Sequence, residues 1–177
     1  SITLTASAQL DVQASLTVTG NNSSVNAGEL NVKSGGTLTV SAGNFSNSGL
    51  ITVYAGQDLI FSSGSTTLTN TGIIEVKSSN TSFGSLLLSG TYSETGGGAF
   101  TAFKYSRYIA SATYWDLIGS PVTGLSIEDF IDDNTDIARN GSSPTTYAVG
   151  YYTNTSEAYG TNDGWTNYNS STYDSAG

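Results

Sequence analysis

The acidic run at 132–136 contains residue types that bind calcium. Asp132, Asn134 and Asp136 alternate along this run, and a tight turn would direct their side-chain oxygens at one hard cation. A complete calcium loop also has a glycine directly after the third ligand and a glutamate at its twelfth position, which is Ser143 here. Two interpretations therefore stay open: a site for calcium, the one candidate cofactor, or an acidic loop that follows a helix.

Aromatic residues near the C-terminus could stack against sugar rings. We expect Trp165, Tyr168 and Tyr151 to carry such recognition, because Asn and Asp residues nearby suit carbohydrate hydroxyls. The same residue types often fill a sandwich core or a contact between subunits, so this alternative stays open as well. The other aromatic residues of the group are Tyr147, Tyr152, Tyr159 and Tyr173.

The titratable residues do not form a catalytic pattern. The chain has no histidine and no cysteine, which excludes Ser-His-Asp and Cys-His triads and thiolate metal sites. Glycosidases use two carboxylates about 5–10 Å apart, but Glu29 and Glu75 occupy different positions relative to the apolar residues beside them. We therefore predict that the protein is not an enzyme, and a polysaccharide lyase or hydrolase remains the third alternative.

A repeat of about 20 residues organises the first half of the chain. Gly28-x-Leu30-x-Val32 returns as Gly49-x-Ile51-x-Val53 and as Gly72-x-Ile74-x-Val76, with valines 21 and 23 residues apart. The apolar residues alternate with polar ones, which is typical of a strand with one buried face. A fixed period of this length indicates a solenoid, in which each turn buries its apolar residues against the next turn.

Two further series of apolar residues indicate three strands in each turn of the solenoid. The second series contains Leu-x-Val or similar pairs that begin at Leu16, Leu38, Leu59 and Leu86. The third series contains Val25, Phe45 and Leu68. We therefore predict an all-β protein with a short right-handed parallel β-helix of about four turns over residues 1–90.

Residues 91–177 are predicted to form a small β-rich capping domain with one short helix. Ser126 is a good N-cap for this helix, and Phe130 and Ile131 would pack it onto the core. Residues 114–122 and 147–152 are predicted strands. The chain ends at Gly177 without an obvious stop signal, so truncation of this domain stays open.

Asn-x-Gly triplets mark the corners between strands. Asn47-Ser48-Gly49 and Asn70-Thr71-Gly72 lie 23 residues apart. Glycine takes positive φ without penalty and Asn tolerates it better than most residues, so both triplets could simply form turns. Alternatively, the Asn47 and Asn70 side chains stack as a buried amide ladder.

Composition favours a turn-rich β protein that acts outside the cell. The 177 residues include 21 glycines and 11 tyrosines, and only 11% are charged. The net charge of −9, with five basic residues, argues against binding to nucleic acid or to anionic lipid. No apolar run approaches the roughly 20 residues of a membrane helix, so membrane insertion is not expected. Because the chain begins at Ser1, we interpret it as a mature or excised piece of a secreted protein.

A loose pattern of motifs runs through the second half of the chain. It consists of residues 103–109 (FKYSRYI) and 115–124 (WDLIGSPVTG), followed by Ile127, Phe130 and Trp165. This pattern resembles a segment common in secreted proteins of the Bacteroidota, where it follows Gly/Thr/Asn-rich repeats. Such proteins usually end in a type IX secretion sorting domain, and many are large surface proteins or adhesins. The resemblance implies the same export route and a cell-surface role.

These observations lead to one preferred function and two alternatives. The preferred function is a structural or adhesive module of a secreted bacterial cell-surface protein, with fibre formation left open because the end of a solenoid is an open sheet edge. Its partners would be other protein subunits or surface glycans. The first alternative is a carbohydrate-binding module that uses the C-terminal aromatic residues, and the second is the polysaccharide-active enzyme.

Overall fold

Three parallel β-sheets wound around one apolar interior form the first part of the protein in the computed structural model. The structure describes residues 1–94, 103–109, 126–142, 144–152 and 164–172. The strands of the solenoid are, in chain order, β1 (Thr3–Leu4), β2 (Gln9–Val12), β3 (Ser15–Val18), β4 (Ser24–Asn26), β5 (Glu29–Val32), β6 (Thr37–Val40), β7 (Phe45–Asn47), β8 (Leu50–Val53), β9 (Asp58–Phe61), β10 (Thr67–Asn70), β11 (Ile73–Lys77), β12 (Ser85–Leu88), β13 (Thr91–Glu94) and β14 (Phe103–Ser106).

The chain visits the three sheets in turn, and each strand pairs in parallel with the strand one turn earlier. The first sheet has the order β1-β4-β7-β10-β13, the second β2-β5-β8-β11-β14, and the third β3-β6-β9-β12. The result is an all-β solenoid of about four turns, which confirms the predicted fold class. The capping role of the residues that follow stays a prediction.

The second and third sheets have the register that the sequence repeats predict. In the second sheet Leu30 pairs with Ile51, and Ile51 with Ile74. In the third sheet Leu38 pairs with Leu16 on one side and Leu59 on the other. Alternation of apolar and polar residues therefore determines both registers, because a slip of one residue would turn every apolar side chain outward.

The first sheet departs from the predicted third series at β4. Ser24, rather than Val25, pairs with Phe45, which in turn pairs with Leu68. Val25 points outward and is 39% exposed, whereas Ser24 is buried. The buried Ser24 hydroxyl accepts a hydrogen bond from the backbone N–H of Ile2 at 3.0 Å. That bond offsets the cost of placing a hydroxyl in the interior.

The interior is a stack of buried aliphatic side chains with two phenylalanines among them. Phe45 and Phe61 are at most 1% exposed, and their rings meet edge to face with centroids 5.9 Å apart and planes at 87°. Each fully buried apolar side chain contributes about 1.5–3 kcal/mol of transfer free energy. Stability of the solenoid therefore comes from contacts between successive turns.

A buried amide ladder runs along the corner between the first and second sheets. The Asn26 side-chain amide donates to Asn47 Oδ1, and the Asn47 amide donates to Asn70 Oδ1, both at 2.7 Å. All three residues are at most 1% exposed. The ladder left open by the sequence is therefore present, and it includes Asn26, which the corner triplets at 47–49 and 70–72 did not reveal.

The corner glycines have a different role from the one expected. Gly49 and Gly72 do not have positive φ, and a Cβ on either would lie 2.1 Å from a carbonyl oxygen of the previous turn. Positive φ occurs instead among other described glycines, Gly35, Gly43, Gly56 and Gly141. Close approach of successive turns, rather than backbone conformation, therefore requires glycine at these two corners.

The chain divides into two compact units, Ser1–Leu117 and Ile118–Gly177. The predicted domain boundary at residue 90 lies earlier, whereas β13 and β14 continue the parallel sheets beyond that residue. Predicted strand 114–122 lies outside the described residues. In the described residues, no helix is long and apolar enough to cross a membrane.

Described residues of the second unit form a short helix and a small antiparallel sheet. These elements are α1 (Ile127–Asp133), β15 (Arg139–Asn140), β16 (Thr146–Tyr152) and β17 (Trp165–Asn169), with the sheet order β15-β16-β17. As predicted, Ser126 caps the helix by accepting a hydrogen bond from Asp129 N at 3.0 Å. Ile131 is fully buried, and its carbonyl oxygen accepts a hydrogen bond from the Arg139 guanidinium at 3.2 Å.

Candidate binding surfaces

The outward side of the second sheet presents charged and aromatic side chains in regular rows. Val32, Val53 and Val76 pair with one another on the inner side, so the residue after each valine points outward. Those residues are Lys33, Tyr54 and Lys77, one turn apart and therefore spaced about 4.8 Å along the solenoid. We call this surface the lysine–tyrosine face, and it consists of Asp11, Asn31, Lys33, Tyr54, Glu75, Lys77 and Ser106.

An ion pair joins the first two turns of the lysine–tyrosine face. Lys33 Nζ lies 2.7 Å from Asp11 Oδ2, and the side-chain amide of Asn31 donates to Asp11 Oδ1 at 3.1 Å. The hydrogen bond from Lys33, followed by one from Gln9, lowers the pKa of Asp11 to about 2. The hydrogen bond to Asp11 in turn raises the pKa of Lys33. Both side chains of this pair therefore stay charged at physiological pH.

A second cluster joins the later turns of the same face. Lys77 Nζ lies 3.3 Å from Glu75 Oε2 and 5.2 Å from the centroid of the Tyr54 ring. The Ser106 hydroxyl donates to the other oxygen of Glu75 at 3.1 Å. Tyr54 remains 37% exposed. The Lys77 ammonium thus covers one side of the Tyr54 ring, and the exposed part of this side chain can contact a partner.

The basic residues of the chain concentrate on this side of the solenoid. Lys33, Lys77 and Lys104 all lie on outward positions of the second sheet, and Arg107 follows its last strand. Only Arg139, among the five basic residues, belongs to the second unit. This surface therefore combines lysines with acidic partners and an exposed tyrosine, and it can bind by stacking, hydrogen bonds and ion pairs.

The sequence contained a signal for this face that the apolar series did not reveal. The residue after the motif valine is Lys33, Tyr54 or Lys77 in successive repeats. Comparison of that single position across the repeats indicates an outward row. The ion pair with Asp11 could follow only from the register, which places Lys33 next to a residue 22 positions earlier.

The acidic run of the second unit lies at the end of α1. Asp132 lies in the last turn of the helix, Asn134 follows it, and Asp136 lies in the next turn of the chain. All three are exposed. The Asn134 amide donates to the carbonyl oxygen of Phe130 at 2.7 Å, which ends the helix. Within the described residues no group of three His, Cys, Asp or Glu side chains could hold a metal, and calcium binding on the predicted set stays a prediction.

The structure brings together two of the three predicted aromatic ligand residues. The Tyr151 and Tyr168 rings have centroids 5.3 Å apart with planes at 49°, and Tyr151 is 46% exposed. Trp165 is three positions before Tyr168 on β17, so it lies on the opposite face of the sheet. Tyr147 is buried beneath the Arg139 guanidinium. Tyr159 and Tyr173 lie outside the described residues.

The acidic residues of the solenoid occupy separate rows. Glu29 is in register with Leu50, whereas Glu75 is in register with Thr52, so the two carboxylates lie in different rows as predicted. On the third sheet, Asp58 accepts a hydrogen bond from the Ser85 hydroxyl one turn later. Asp58 therefore binds a hydroxyl of the next turn, and Glu75 binds Lys77 on its own strand and the Ser106 hydroxyl of the next turn.

Comparison with known proteins gave no match. No family model matches the chain, and neither a curated protein nor a solved structure is significantly similar to it. The geometry of the described surfaces is therefore the basis for any functional proposal.

Proposed function

We propose that the chain is a structural and adhesive module of a secreted bacterial cell-surface protein. It acts by contact through the lysine–tyrosine face, and its partners are surface glycans or other protein subunits. The resemblance of residues 103–109 and 115–124 to secreted Bacteroidota proteins supports the cell-surface location and export by type IX secretion.

One observation carries the contact role: long side chains of this face are held in place before a partner arrives. Lys33 is bound by Asp11 at 2.7 Å, and Lys77 is held between Glu75 and the Tyr54 ring. Strands beneath them pair on both sides, so the backbone is rigid as well. Binding to such a surface loses little side-chain entropy, which favours recognition of a repetitive partner.

A glycan array probed with the 177-residue chain tests this proposal. We expect Tyr54→Ala and Lys77→Ala each to weaken glycan binding about tenfold, because a stacked ring or a desolvated cation contributes about 1.4 kcal/mol. Thr17→Ala, an exposed substitution on the third sheet, is the matched control and should bind normally. If neither glycans nor whole cells bind the protein, or if the two variants bind as the parent does, the adhesive role is wrong.

The Tyr151–Tyr168 pair favours a second candidate, a carbohydrate-binding module in the C-terminal unit. Two tilted rings 5.3 Å apart form a small apolar platform that suits the C–H face of a sugar. On the same array, Tyr151→Ala would then abolish binding. Trp165→Ala, on the opposite face of the sheet, would leave it unchanged. Loss of binding in Tyr54→Ala but not in Tyr151→Ala would favour the lysine–tyrosine face.

A further inference from the structure

The lysine–tyrosine face consists of two outward rows that run along the solenoid axis. One row contains, on successive turns, Asp11, Asn31, Thr52 and Glu75. Asn31 and Thr52, in the middle of this row, are only 6% and 3% exposed. The neighbouring row contains the longer side chains of Lys33, Tyr54 and Lys77, and Tyr54 is 37% exposed. A ligand that lies along the axis therefore contacts the exposed ring and the charged groups of several turns.

An ion pair lies on each side of the central tyrosine. Lys33 Nζ is 2.7 Å from Asp11 Oδ2, and Lys77 Nζ is 3.3 Å from Glu75 Oε2. An ammonium has three donors and a carboxylate about four acceptor sites, so each pair can also bind the hydroxyls of a ligand. The two acidic and two basic residues give this face no net charge, although the chain as a whole carries −9. An anionic ligand would meet two carboxylates as well as two ammonium groups, which favours an uncharged one.

The spacing of the turns suits a ligand with a short, regular repeat. Successive turns lie about 4.8 Å apart, so Asp11 and Glu75, three turns apart on one row, are separated by about 14 Å. In an extended β-1,4-linked hexose chain, each sugar ring advances the chain by a distance similar to one turn. Chains with β-1,3 links curve instead and lose this match after a few rings. An extended chain of about four rings therefore reaches from one ion pair to the other.

We propose that the lysine–tyrosine face binds an uncharged β-1,4-linked polysaccharide, which lies along the solenoid axis with one sugar ring on each turn. The inference rests on the adhesive function proposed above and deepens it, because it names the class of glycan and the direction in which it binds. The Tyr54 ring, covered on one side by Lys77 at 5.2 Å, contacts a central sugar through its exposed part. The two ion pairs bind hydroxyls of the sugars on either side.

Isothermal titration calorimetry of the 177-residue chain with oligosaccharides of two to six rings tests the proposal. The probes are β-1,4-linked oligomers of glucose, mannose and N-acetylglucosamine. We expect at least one series to bind, with an affinity that rises from two rings to four and then levels off. Added salt should leave this affinity unchanged, because neither the ligand nor the face carries a net charge.

Two sets of control ligands separate shape from charge. Oligomers of β-1,3-linked glucose contain the same sugar as one of the probe series in a curved chain, and they should bind at least about tenfold more weakly than the best series. Oligomers of β-1,4-linked uronate are extended but anionic, and they should also bind more weakly, because Asp11 and Glu75 repel them.

The double variant Asp11→Ala/Lys33→Ala tests the direction of binding. It removes one ion pair without changing the net charge, and exposed pairs contribute little to stability, so circular dichroism should show the parent fold. We expect affinity for the four-ring oligomer to fall about tenfold. Affinity for the two-ring oligomer should change little, because two rings are held by Tyr54 and the Glu75–Lys77 pair. Thr17→Ala, on the third sheet, is the control and should bind both lengths normally.

Four results would overturn the proposal. These are no binding of any β-1,4-linked series up to millimolar concentration, an affinity independent of length, equal binding of the β-1,3-linked or uronate oligomers, and unchanged binding in Tyr54→Ala. Equal losses for two and four rings in the folded double variant would also contradict binding along the axis. Binding of other glycans or of whole cells that Tyr54→Ala weakens would still support the adhesive role, so the two proposals can fail separately.

Discussion

Gly49 is a residue whose lack of a side chain permits the spacing of the turns. A Cβ at this position would lie 2.1 Å from the carbonyl oxygen of Gly28 and 2.7 Å from the carbonyl carbon of Ala27. Both are backbone atoms of the previous turn, so neither can rotate away as a flexible side chain could. Any substitution at Gly49 must therefore push two turns apart or break their hydrogen bonds.

We expect Gly49→Ala to lower the free energy of unfolding by about 1–3 kcal/mol or more, the usual cost of an overpacked site. Chemical denaturation followed by circular dichroism measures this difference. Gly64→Ala is the matched control, because its Cβ would meet only Ser89 O at 3.7 Å, and it should be neutral or slightly stabilising. Equal stability of the two variants would contradict the close approach of the turns.

Asp11 is the residue whose ionisation should report the register of the first two turns. Lys33 and Gln9 hydrogen bonds lower its pKa from 3.8 to about 2 in the folded protein. Between about pH 4 and pH 2 the unfolded chain then binds more protons than the folded chain, so stability falls as the pH falls through this window. Because the carboxylate is partly exposed, the contribution to unfolding free energy is small.

A carbon-detected NMR titration of the Asp11 carboxyl measures this pKa directly. We expect a midpoint near pH 2 in the parent and a higher midpoint, closer to the ordinary 3.8, in Lys33→Met. Lys77→Met, which removes a lysine two turns further along the same row, should leave the midpoint unchanged, because exposed charges at that separation are screened. An ordinary midpoint in the parent would show that the Asp11–Lys33 ion pair does not form in solution.

At the scale of elements, the amide ladder connects strands of three successive turns. The Asn26 and Asn47 amides each donate both to the next Asn and to a backbone carbonyl further along, as Asn47 does to Ile73 O at 3.2 Å. The Asn70 amide donates instead to the Tyr92 hydroxyl at 3.3 Å. Gly28 N also donates to Asn26 Oδ1 at 3.2 Å. The ladder therefore satisfies polar groups that a bend between two sheets leaves in the interior.

We expect Asn47→Ala to destabilise the protein by about 1–3 kcal/mol, because it leaves the buried amide of Asn26 and the oxygen of Asn70 without their shared partner. Thermal and denaturant unfolding measure the loss. The matched control is Asn44→Ala, an exposed position three residues earlier in the same turn, which should change stability by less than about 0.5 kcal/mol. A loss below that value for Asn47→Ala would mean that water replaces the ladder at little cost.

The contrast between sheets shows which elements the sequence can predict. The second and third sheets have apolar residues at their inner positions, mostly Leu, Ile and Val, so alternation alone gives their strands and register. The first sheet places Ser24, Asn26 and Asn47 inside, and a hydrophobic pattern assigns such residues to the surface. For that reason the hydrophobic pattern predicts Val25 as the inner residue of β4, one position away from Ser24, which is the inner residue in the structure.

The candidate surfaces were predictable only in part, for a related reason. Aromatic residues near the C-terminus are visible in the sequence, but the opposite faces of Trp165 and Tyr168 follow from their spacing once β17 is known as a strand. The lysine–tyrosine face depends on contacts between residues more than 20 positions apart, such as Lys33 with Asp11. Such contacts can be predicted only when the register between neighbouring turns is known, because local composition does not show which distant residues lie side by side.

At the scale of the whole molecule, the solenoid is a one-dimensional stack in which each turn contacts its neighbours. The middle strands β5 and β8 pair on both edges, whereas β1 and β13 pair on one edge in the described structure. The inner residues Leu30 and Ile51 are fully buried, but Ile2 and Leu4 near the start are only partly buried. Stability in such arrays is a sum of local and nearest-neighbour terms, so it should decrease from the middle toward the ends.

Hydrogen exchange measured by mass spectrometry tests this gradient. We expect amides of β5 and β8 to exchange about a hundredfold or more slowly than those of β1 and β13, since the end strands open without disturbing the centre. If all strands exchange at one rate, the solenoid unfolds as a single cooperative unit and the stack description is wrong.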